Sequence, residues 1–145
     1  MRGYCGIGVY HPKTGVNIGT LVRSASVLGA DFVFTIGRRY KKQASSVRCE
    51  RHVPVFHFAT IDAWRKAMPA NARLVCVELD ERSVPLAGFT HPEQAVYLLG
   101  AEDHGLPPSA MVGLQVVQIP GAFSLNVASA GTVVLYDRAA KRGAP

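Results

Sequence analysis

One arginine stands out in the sequence because its surroundings predict a packing helix. Residues 16–34, VNIGTLVRSASVLGADFVF, are typical of a helix that leads into a strand. Asn17 and Gly19 lie in the first turn of this helix, and Arg23 follows among apolar residues. A guanidinium keeps its charge at neutral pH and acts only as a hydrogen-bond donor. The segment therefore raises the question of which negative charge Arg23 meets.

Two later loops carry polar residues directly after predicted strands. The first is LLGAEDHGLPPS, residues 98–109, in which Gly100 and Gly105 flank an acidic pair. The second is IPGAFSLN, residues 119–126. Ligands of open parallel sheets bind beyond the carboxyl ends of the strands, and glycines let a ligand approach the backbone closely. We expect both loops and the Asn17–Arg23 segment to converge on one site, although turns and helix caps would explain any single loop.

The common site patterns are absent or weak. The chain has no P-loop ending in Gly-Lys-Ser/Thr and no Gly-x-Ser-x-Gly elbow for an acyl nucleophile. Gly6 and Gly8 begin a dinucleotide fingerprint, but His11 stands where its third glycine is required. A nicotinamide-dependent oxidoreductase is therefore a weak alternative. His52 and His57 would fall on opposite faces of a strand without paired cysteines, so we expect no metal site.

Positive charge is concentrated in one stretch of the chain. The formal net charge of the whole chain is +6. Residues 38–51, RRYKKQASSVRCER, hold six of the sixteen Lys and Arg residues and one acid, Glu50, so this stretch alone carries a net charge of +5. Such a field favours a polyanion, because each neutralised phosphate releases condensed counterions. A solvated surface loop is the alternative for an isolated run of charge.

Length and composition predict one folded domain over residues 1–145. Hydrophobic residues make up 48% of the chain and charged residues 18%, which is typical of a soluble globular domain. No repeat, low-complexity segment or long linker divides it. Cys5, Cys49 and Cys76 are odd in number and widely spaced, which favours reduced thiols in a cytoplasmic protein. We expect neither a signal peptide nor a membrane-spanning segment.

Strands alternate with helices along the chain. Strands are predicted over residues 5–10, 31–37, 53–58, 73–79, 95–100 and 114–120. Asn17 can cap the first predicted helix. The second helix covers residues 60–68 and opens with Thr60 as its cap, and a long closing helix covers residues 124–142. This alternation predicts an α/β fold with a mainly parallel sheet flanked by helices.

The segments NIGTLVRSA, LLGAEDHGLP and IPGAFSLNVASAGTVVLYD together resemble the motifs of the SpoU/TrmH family of SPOUT RNA 2′-O-ribose methyltransferases. The likeness covers nearly the whole chain, with the three motifs in the family's order and spacing. The length of the chain is similar to that of the stand-alone members that modify the ribose at the tRNA wobble position. The resemblance implies methyl transfer from S-adenosylmethionine to a ribose 2′-hydroxyl, of tRNA first and of rRNA as the alternative.

The resemblance also implies features that no pattern in the chain predicts. Family members thread their C-terminal part through a loop to form a deep trefoil knot, hold the cofactor bent, and act as homodimers with active sites at the subunit interface. The motif positions that would contact the cofactor are Val77, Gly100, Ile119, Ser124 and Leu125. The motif positions tied to catalysis and site architecture are Arg23, Asn17, Glu102, Ser124 and Asn126.

RNA contacts are expected from the basic stretch. Its cations would bind phosphates and guide the substrate, while the ring of Tyr40 could stack on an exposed base. The residues expected to contact RNA are Arg38, Arg39, Tyr40, Lys41, Lys42, Arg48 and Arg51.

The resemblance places Arg23 at the substrate. The family account makes this arginine the base that activates the 2′-hydroxyl, but a guanidinium with a pKa above about 12 is a poor base. We expect Arg23 instead to hold the adjacent phosphate and to stabilise the developing alkoxide. An ion pair with Asp31 or Glu102 that only stiffens the fold is the alternative.

The third motif is shorter than in relatives. Only Gly121, Ala122 and Phe123 separate Pro120 from Ser124, where relatives usually carry a longer segment that starts with methionine. An RNA-binding homodimer that keeps the fold but transfers methyl groups weakly is therefore a second hypothesis.

Overall fold

A seven-stranded sheet forms the centre of the molecule. The computed structural model describes residues 3–40, 52–101 and 103–143. The strands in these ranges are β1 (Tyr4–Tyr10), β2 (Phe32–Ile36), β3 (Val55–Phe58), β4 (Arg73–Val77), β5 (Val84–Pro85), β6 (Gln94–Leu99) and β7 (Gln115–Gln118). They lie in the order β3-β2-β1-β6-β4-β7-β5, and every neighbouring pair is parallel. The predicted parallel sheet is confirmed, and β5 is a short addition to the six predicted strands.

Helices cover both faces of the sheet. They are α1 (Gly15–Leu28), α2 (Ile61–Ala67), α3 (Pro108–Met111) and α4 (Val127–Arg142). One core includes Leu21 of α1 and Val134 of α4, and the other includes Trp64 of α2 and Met111 of α3. Successive strand residues alternate between these cores, which explains the unbroken apolar runs in β2 and β6. The fold class is therefore α/β, as expected.

Two glycines of β1 make room for aromatic rings. Gly6 is in register with Phe32 of β2, and Gly8 is in register with Phe34. A Cβ atom at either glycine would collide with the neighbouring ring. Packing therefore accounts for the glycine pattern that begins a dinucleotide fingerprint.

The first helix starts earlier than predicted. Thr14 is the N-cap of α1, and its side chain accepts a hydrogen bond of 3.4 Å from the Asn17 amide. The prediction that Asn17 caps this helix is wrong, because Thr14 already supplies the acceptor that the first-turn N–H groups need. Thr60 does cap α2 as predicted, accepting from the Ala63 amide at 3.1 Å.

The last helix starts later than predicted. Asn126 is its N-cap, and its Oδ1 accepts from the Ala128 and Ser129 amides at 2.9 and 3.3 Å. Ser124 and Leu125 therefore belong to the loop before α4, and the prediction of a helix from residue 124 is wrong at that end. The loop position leaves both residues available to a ligand.

The late strands interleave. β4 precedes β6 in the chain but lies between β6 and β7 in the sheet. The deep trefoil knot that the family resemblance implies stays a prediction.

Two cysteine thiols are shielded from solvent. Cys5 and Cys76 are free and buried, and burial raises the pKa of the Cys76 thiol to about 12. A thiol that stays protonated is a poor nucleophile, so both side chains serve packing. Cys49 lies outside the described residues. Within the described ranges, no helix is both long and apolar enough to span a membrane.

Candidate functional site

A cavity opens beyond the carboxyl ends of three neighbouring strands. Val77 ends β4, Leu99 ends β6, and Ile119 directly follows β7. All three line a cavity of about 270 Å³, here called the strand-end cavity. Its other walls come from the loop after β6 and from the segment that precedes α4. Two of the three polar segments therefore converge, because parallel strands present their carboxyl ends at one edge of the sheet.

The strand-end cavity collects all five positions expected to contact a cofactor. They are Val77, Gly100, Ile119, Ser124 and Leu125. Apolar side chains supply a surface for a flat or aliphatic group, and Ser124 adds a hydroxyl. The short third motif thus still brings its residues to the cavity. The individual contacts stay predictions.

Gly100 is required by the close approach of two backbone segments. A Cβ atom at this position would lie 2.5 Å from the carbonyl carbon of Gly105 and 2.7 Å from the Leu106 amide nitrogen. Both are backbone atoms and cannot rotate away. Gly105 in turn has a φ of 64°, a left-handed conformation that favours glycine. The two glycines that flank the acidic pair therefore shape the loop that walls the cavity.

Glu78 lines the strand-end cavity and was not predicted from the sequence. One carboxylate oxygen accepts from the Leu79 amide at 3.0 Å, and the other accepts from the Leu106 amide at 2.8 Å. The side chain therefore ties the end of β4 to the loop after β6. No signal in the sequence pointed to it, because Glu78 lies inside the strand predicted over residues 73–79 and matches none of the quoted motifs.

The charged residues in the cavity wall are acidic. Glu78 and Asp103 line it, and no Lys or Arg does so among the described residues. His104 is the remaining titratable group in the wall. This charge favours a cationic ligand over an anionic one.

The first and third polar segments meet through two asparagines. The Asn126 side-chain amide donates to Asn17 Oδ1 at 3.1 Å. Asn17 lies in the first turn of α1 and Asn126 caps α4, so this bond joins the starts of two helices. The bond brings the first segment to the third, but neither asparagine lines the strand-end cavity. Convergence of the first segment on that cavity stays a prediction.

Arg23 lies outside the strand-end cavity. Its side chain is exposed on α1 and is not part of the cavity wall. Asp31 accepts a hydrogen bond of 2.8 Å from the Cys5 amide, and Arg23 forms no ion pair with it. The structure therefore gives no support to a stiffening pair with Asp31. Glu102, the other alternative partner and itself a predicted site residue, lies outside the described residues.

Part of the basic stretch lies at the same edge of the sheet. Arg38, Arg39 and Tyr40 follow β2 and line a separate cavity of about 250 Å³. Lys41, Lys42, Arg48 and Arg51 lie outside the described residues. The contribution of these four to RNA binding stays a prediction.

The histidines of the β3 region do not form a metal site. His57 Nδ1 lies 2.9 Å from the Thr35 hydroxyl, and burial, with Arg39 as a second cause, lowers the pKa of His57. His52 is exposed. Within the part of the chain that the structure describes, no group of His, Cys, Asp and Glu side chains could hold a metal ion.

Solved structures share this architecture. One, from work on the 2-OH methylation of C/U34 on tRNA, is 25% identical, with a TM-score of 0.79 and 94% of each chain covered. AviRb from Streptomyces viridochromogenes, a SpoU methyltransferase in complex with AdoMet, is 26% identical with a TM-score of 0.79; the match covers 98% of this chain and 59% of AviRb. The A. aeolicus TrmH/SpoU tRNA modifying enzyme is 18% identical with a TM-score of 0.81, and the match covers 98% of this chain and 78% of that enzyme. At this identity the likeness supports the fold alone.

The fold is that of the SPOUT methyltransferases. The model of the SpoU rRNA Methylase family matches residues 5–136, which is most of the chain. The chain therefore belongs to the SpoU rRNA Methylase family. No curated protein sequence matches it significantly.

Proposed function

We propose that this chain transfers a methyl group to a ribose 2′-hydroxyl of tRNA, with the wobble nucleotide as the first position to test. The observation that carries the proposal is the single cavity in which all five expected cofactor positions meet. The relative that matches this chain over 94% of both lengths comes from work on C/U34 of tRNA. Other relatives are rRNA methyltransferases, so rRNA is the alternative substrate.

S-adenosylmethionine is the methyl donor that fits the strand-end cavity. The cavity wall offers apolar side chains to an adenine ring, backbone groups at Gly100, and the Glu78 and Asp103 carboxylates to a cation. The volume, about 270 Å³, lies just below the usual range for small-molecule sites, which begins at about 300 Å³. When bound, this cofactor supplies an electrophilic methyl group on a positively charged sulfur.

The residues of the chain would position the ribose and handle its charge. Attack by the 2′-oxygen is favoured when the reacting groups are held close and in line. Arg23 would bind the phosphate beside the target ribose with its two-pronged donor geometry and stabilise negative charge on the attacking oxygen. The hydroxyl proton can then leave late, to water. Asn17, Ser124 and Asn126 would hold the site around these groups.

We propose that a second copy of the chain completes the site. Arg23 does not line the strand-end cavity of its own chain. It follows Val16 at helical spacing on the exposed side of α1, and Val27 follows one turn later; these two valines are 65% and 71% exposed. A homodimer formed through this side would cover the apolar side chains and present Arg23 to the partner's cavity.

The proposal is tested by mapping the transferred methyl group. The purified chain is incubated with isotopically labelled S-adenosylmethionine and either unmodified tRNA or rRNA fragments, and the modified nucleosides are identified by mass spectrometry. We expect a 2′-O-methylated nucleoside in tRNA. Label on a base, or in rRNA alone, would contradict the proposal as stated. Cofactor binding without transfer to any RNA would support the weak-transfer hypothesis that the short third motif favours.

Substitution of Arg23 tests its assigned role. We expect Arg23→Ala to lower the methylation rate about 100-fold or more, which is typical for loss of a donor to a developing oxyanion. Arg23→Lys keeps the charge but loses the two-pronged geometry, so its rate should fall between those of the wild type and the alanine variant. S-adenosylmethionine affinity, measured by calorimetry, should stay the same in both. Full turnover in Arg23→Ala would refute the assignment.

A further inference from the structure

A second cavity lies next to the strand-end cavity and has the opposite charge. It is lined by residues from the loops after β1 and β2, including Lys13, Arg38, Arg39 and Tyr40, and is here called the basic cavity. No Asp or Glu is among its described lining residues. Three cations around one cavity, without a carboxylate in its wall, favour an anionic ligand.

Contacts within the chain hold the basic cavity together. The Arg38 guanidinium donates to the Lys13 carbonyl at 3.4 Å, which joins the two loops. Tyr40 lies beside α1 at Gly19, where an added Cβ would be 3.7 Å from the Tyr40 hydroxyl. The Tyr40 side chain therefore lies beside the first turns of α1, partly buried against the core.

An ion pair connects the two cavities. Lys13 Nζ, in the wall of the basic cavity, lies 3.2 Å from Oδ1 of Asp103, in the wall of the strand-end cavity. The strands that precede these residues, β1 and β6, are direct neighbours in the sheet. A ligand that fills both cavities would therefore pass over the Lys13–Asp103 pair.

We propose that the basic cavity binds the nucleotide adjacent to the one that is methylated. Lys13, Arg38 and Arg39 would bind its phosphate, and the ring of Tyr40 would stack on its base. The inference rests on the proposed function, because a ribose at the methyl donor places the next nucleotide beyond the Lys13–Asp103 pair. Stacking requires an unstacked base, so the ligand is single-stranded RNA, as in a loop.

Binding of short RNA tests the phosphate contacts. The probe is a fluorescein-labelled single-stranded RNA pentanucleotide, and its affinity for the full chain is measured by anisotropy at several salt concentrations. We expect Arg39→Ala to weaken binding about fivefold to tenfold and to lower the salt slope by about one. Lys66→Ala, which removes an exposed lysine of α2 outside this cavity, is the matched control and should change neither quantity.

An abasic scan of the pentanucleotide tests the stacking contact. Removal of the base that stacks on Tyr40 should weaken wild-type binding about tenfold, because stacking on an aromatic side chain contributes to the affinity for each base. In Tyr40→Ala the same removal should have almost no further effect, while Tyr40→Phe should behave as the wild type. S-adenosylmethionine affinity should be unchanged in each Tyr40 variant, which shows that the fold is intact.

The two proposals can fail separately. Equal losses in Arg39→Ala and Lys66→Ala, or an abasic scan that gives the same profile in wild type and Tyr40→Ala, would overturn the nucleotide subsite even if methylation occurs. Cavity-dependent RNA binding without 2′-O-methylation would instead overturn the proposed function and leave an RNA subsite. Equal competition by double-stranded DNA would identify a general polyanion surface and also overturn the subsite.

Discussion

Two residues of the strand-end cavity, Glu78 and Gly100, shape it through contacts with backbone atoms. Glu78 accepts hydrogen bonds from two amides on different segments, and Gly100 allows the loop after β6 to fold back on itself. The motif resemblance pointed to Gly100 but not to Glu78. A carboxylate that binds amides brought together only by folding has no spacing pattern, so sequence alone could not predict it.

Gly100→Ala tests whether the folded-back loop shapes the cofactor site. The new Cβ would lie 2.5 Å from a Gly105 backbone atom, so the loop must shift into or away from the cavity. We expect S-adenosylmethionine affinity, measured by calorimetry, to fall at least tenfold. This corresponds to a loss of about 1.4 kcal/mol or more of binding free energy. Gly88→Ala is the matched control, because a Cβ at Gly88 meets no atom within 4 Å. Equal affinities in both variants would show that this loop does not form the site.

At the scale of elements, the sequence predicted the alternation of strands and helices and the start of α2 at Thr60, but not the starts of α1 and α4. Thr14 and Asn17 are both good capping residues, and the choice between them depends on which side chain reaches a free amide. Asn126 caps α4 while also bonding to Asn17, a contact between distant parts of the chain. Local propensity does not contain such contacts, which explains why the start of each of these two helices was predicted wrongly.

The exposed side of α1 and α4 provides a test of the proposed homodimer. The two helices contact each other through Ser24 and Thr132, whose hydroxyls are 2.7 Å apart. We expect Val27→Glu or Tyr136→Glu to convert a dimer into a monomer in light-scattering measurements, because each puts a charge on an apolar interface. Methylation should fall with dimer content, since Arg23 would no longer reach the partner's cavity.

Val112→Glu is the control for these dimer variants. Val112 is 63% exposed, similar to the 64% of Tyr136, but it follows α3 on the other face of the sheet. Val112→Glu should therefore leave the dimer intact. A wild-type chain that is monomeric at the concentrations used for activity would contradict the homodimer.

On the scale of the whole molecule, the two ends of the sheet differ: one carries the two cavities, and at the other the closing helix is attached. The strand-end cavity and the basic cavity adjoin at the carboxyl ends of the strands. At the opposite end, Arg138 of α4 donates to the Glu93 carbonyl at 2.8 Å and to the Tyr4 carbonyl at 3.3 Å. The closing helix is therefore fixed to the starts of β1 and β6. The sequence predicted the helix and both strands, but their adjacency depends on the strand order, which periodicity does not contain.

The polar cluster around His91 makes the anchor of α4 sensitive to pH. The buried His91 ring contacts the Tyr97 hydroxyl at 2.7 Å and the Asp137 carboxylate at 2.6 Å. Burial is the largest cause of the lowered pKa of His91; Asp137 opposes it, and the charges of Lys141 and Arg138 add to the lowering. A histidine with a lowered pKa in the folded state stabilises the fold fully above its unfolded pKa, near 6.5, and loses that contribution as the pH falls.

Thermal unfolding between pH 7.5 and 5.5 measures this contribution. We expect the Tm of the wild type to fall as the pH decreases. One histidine changes the free energy of unfolding by at most about 1.4 kcal/mol per pH unit. His91→Asn should be less stable at pH 7.5, because Asp137 and Tyr97 lose contacts, but its Tm should depend less on pH. His57, whose pKa is also lowered by burial, makes stability depend on pH in the same direction. The chain with His91 and the chain with His91→Asn are therefore compared in a His57→Gln background. If the Tm of His91→Asn depended on pH as strongly as that of the chain with His91, the cluster of His91, Tyr97 and Asp137 would not be the source of the pH dependence.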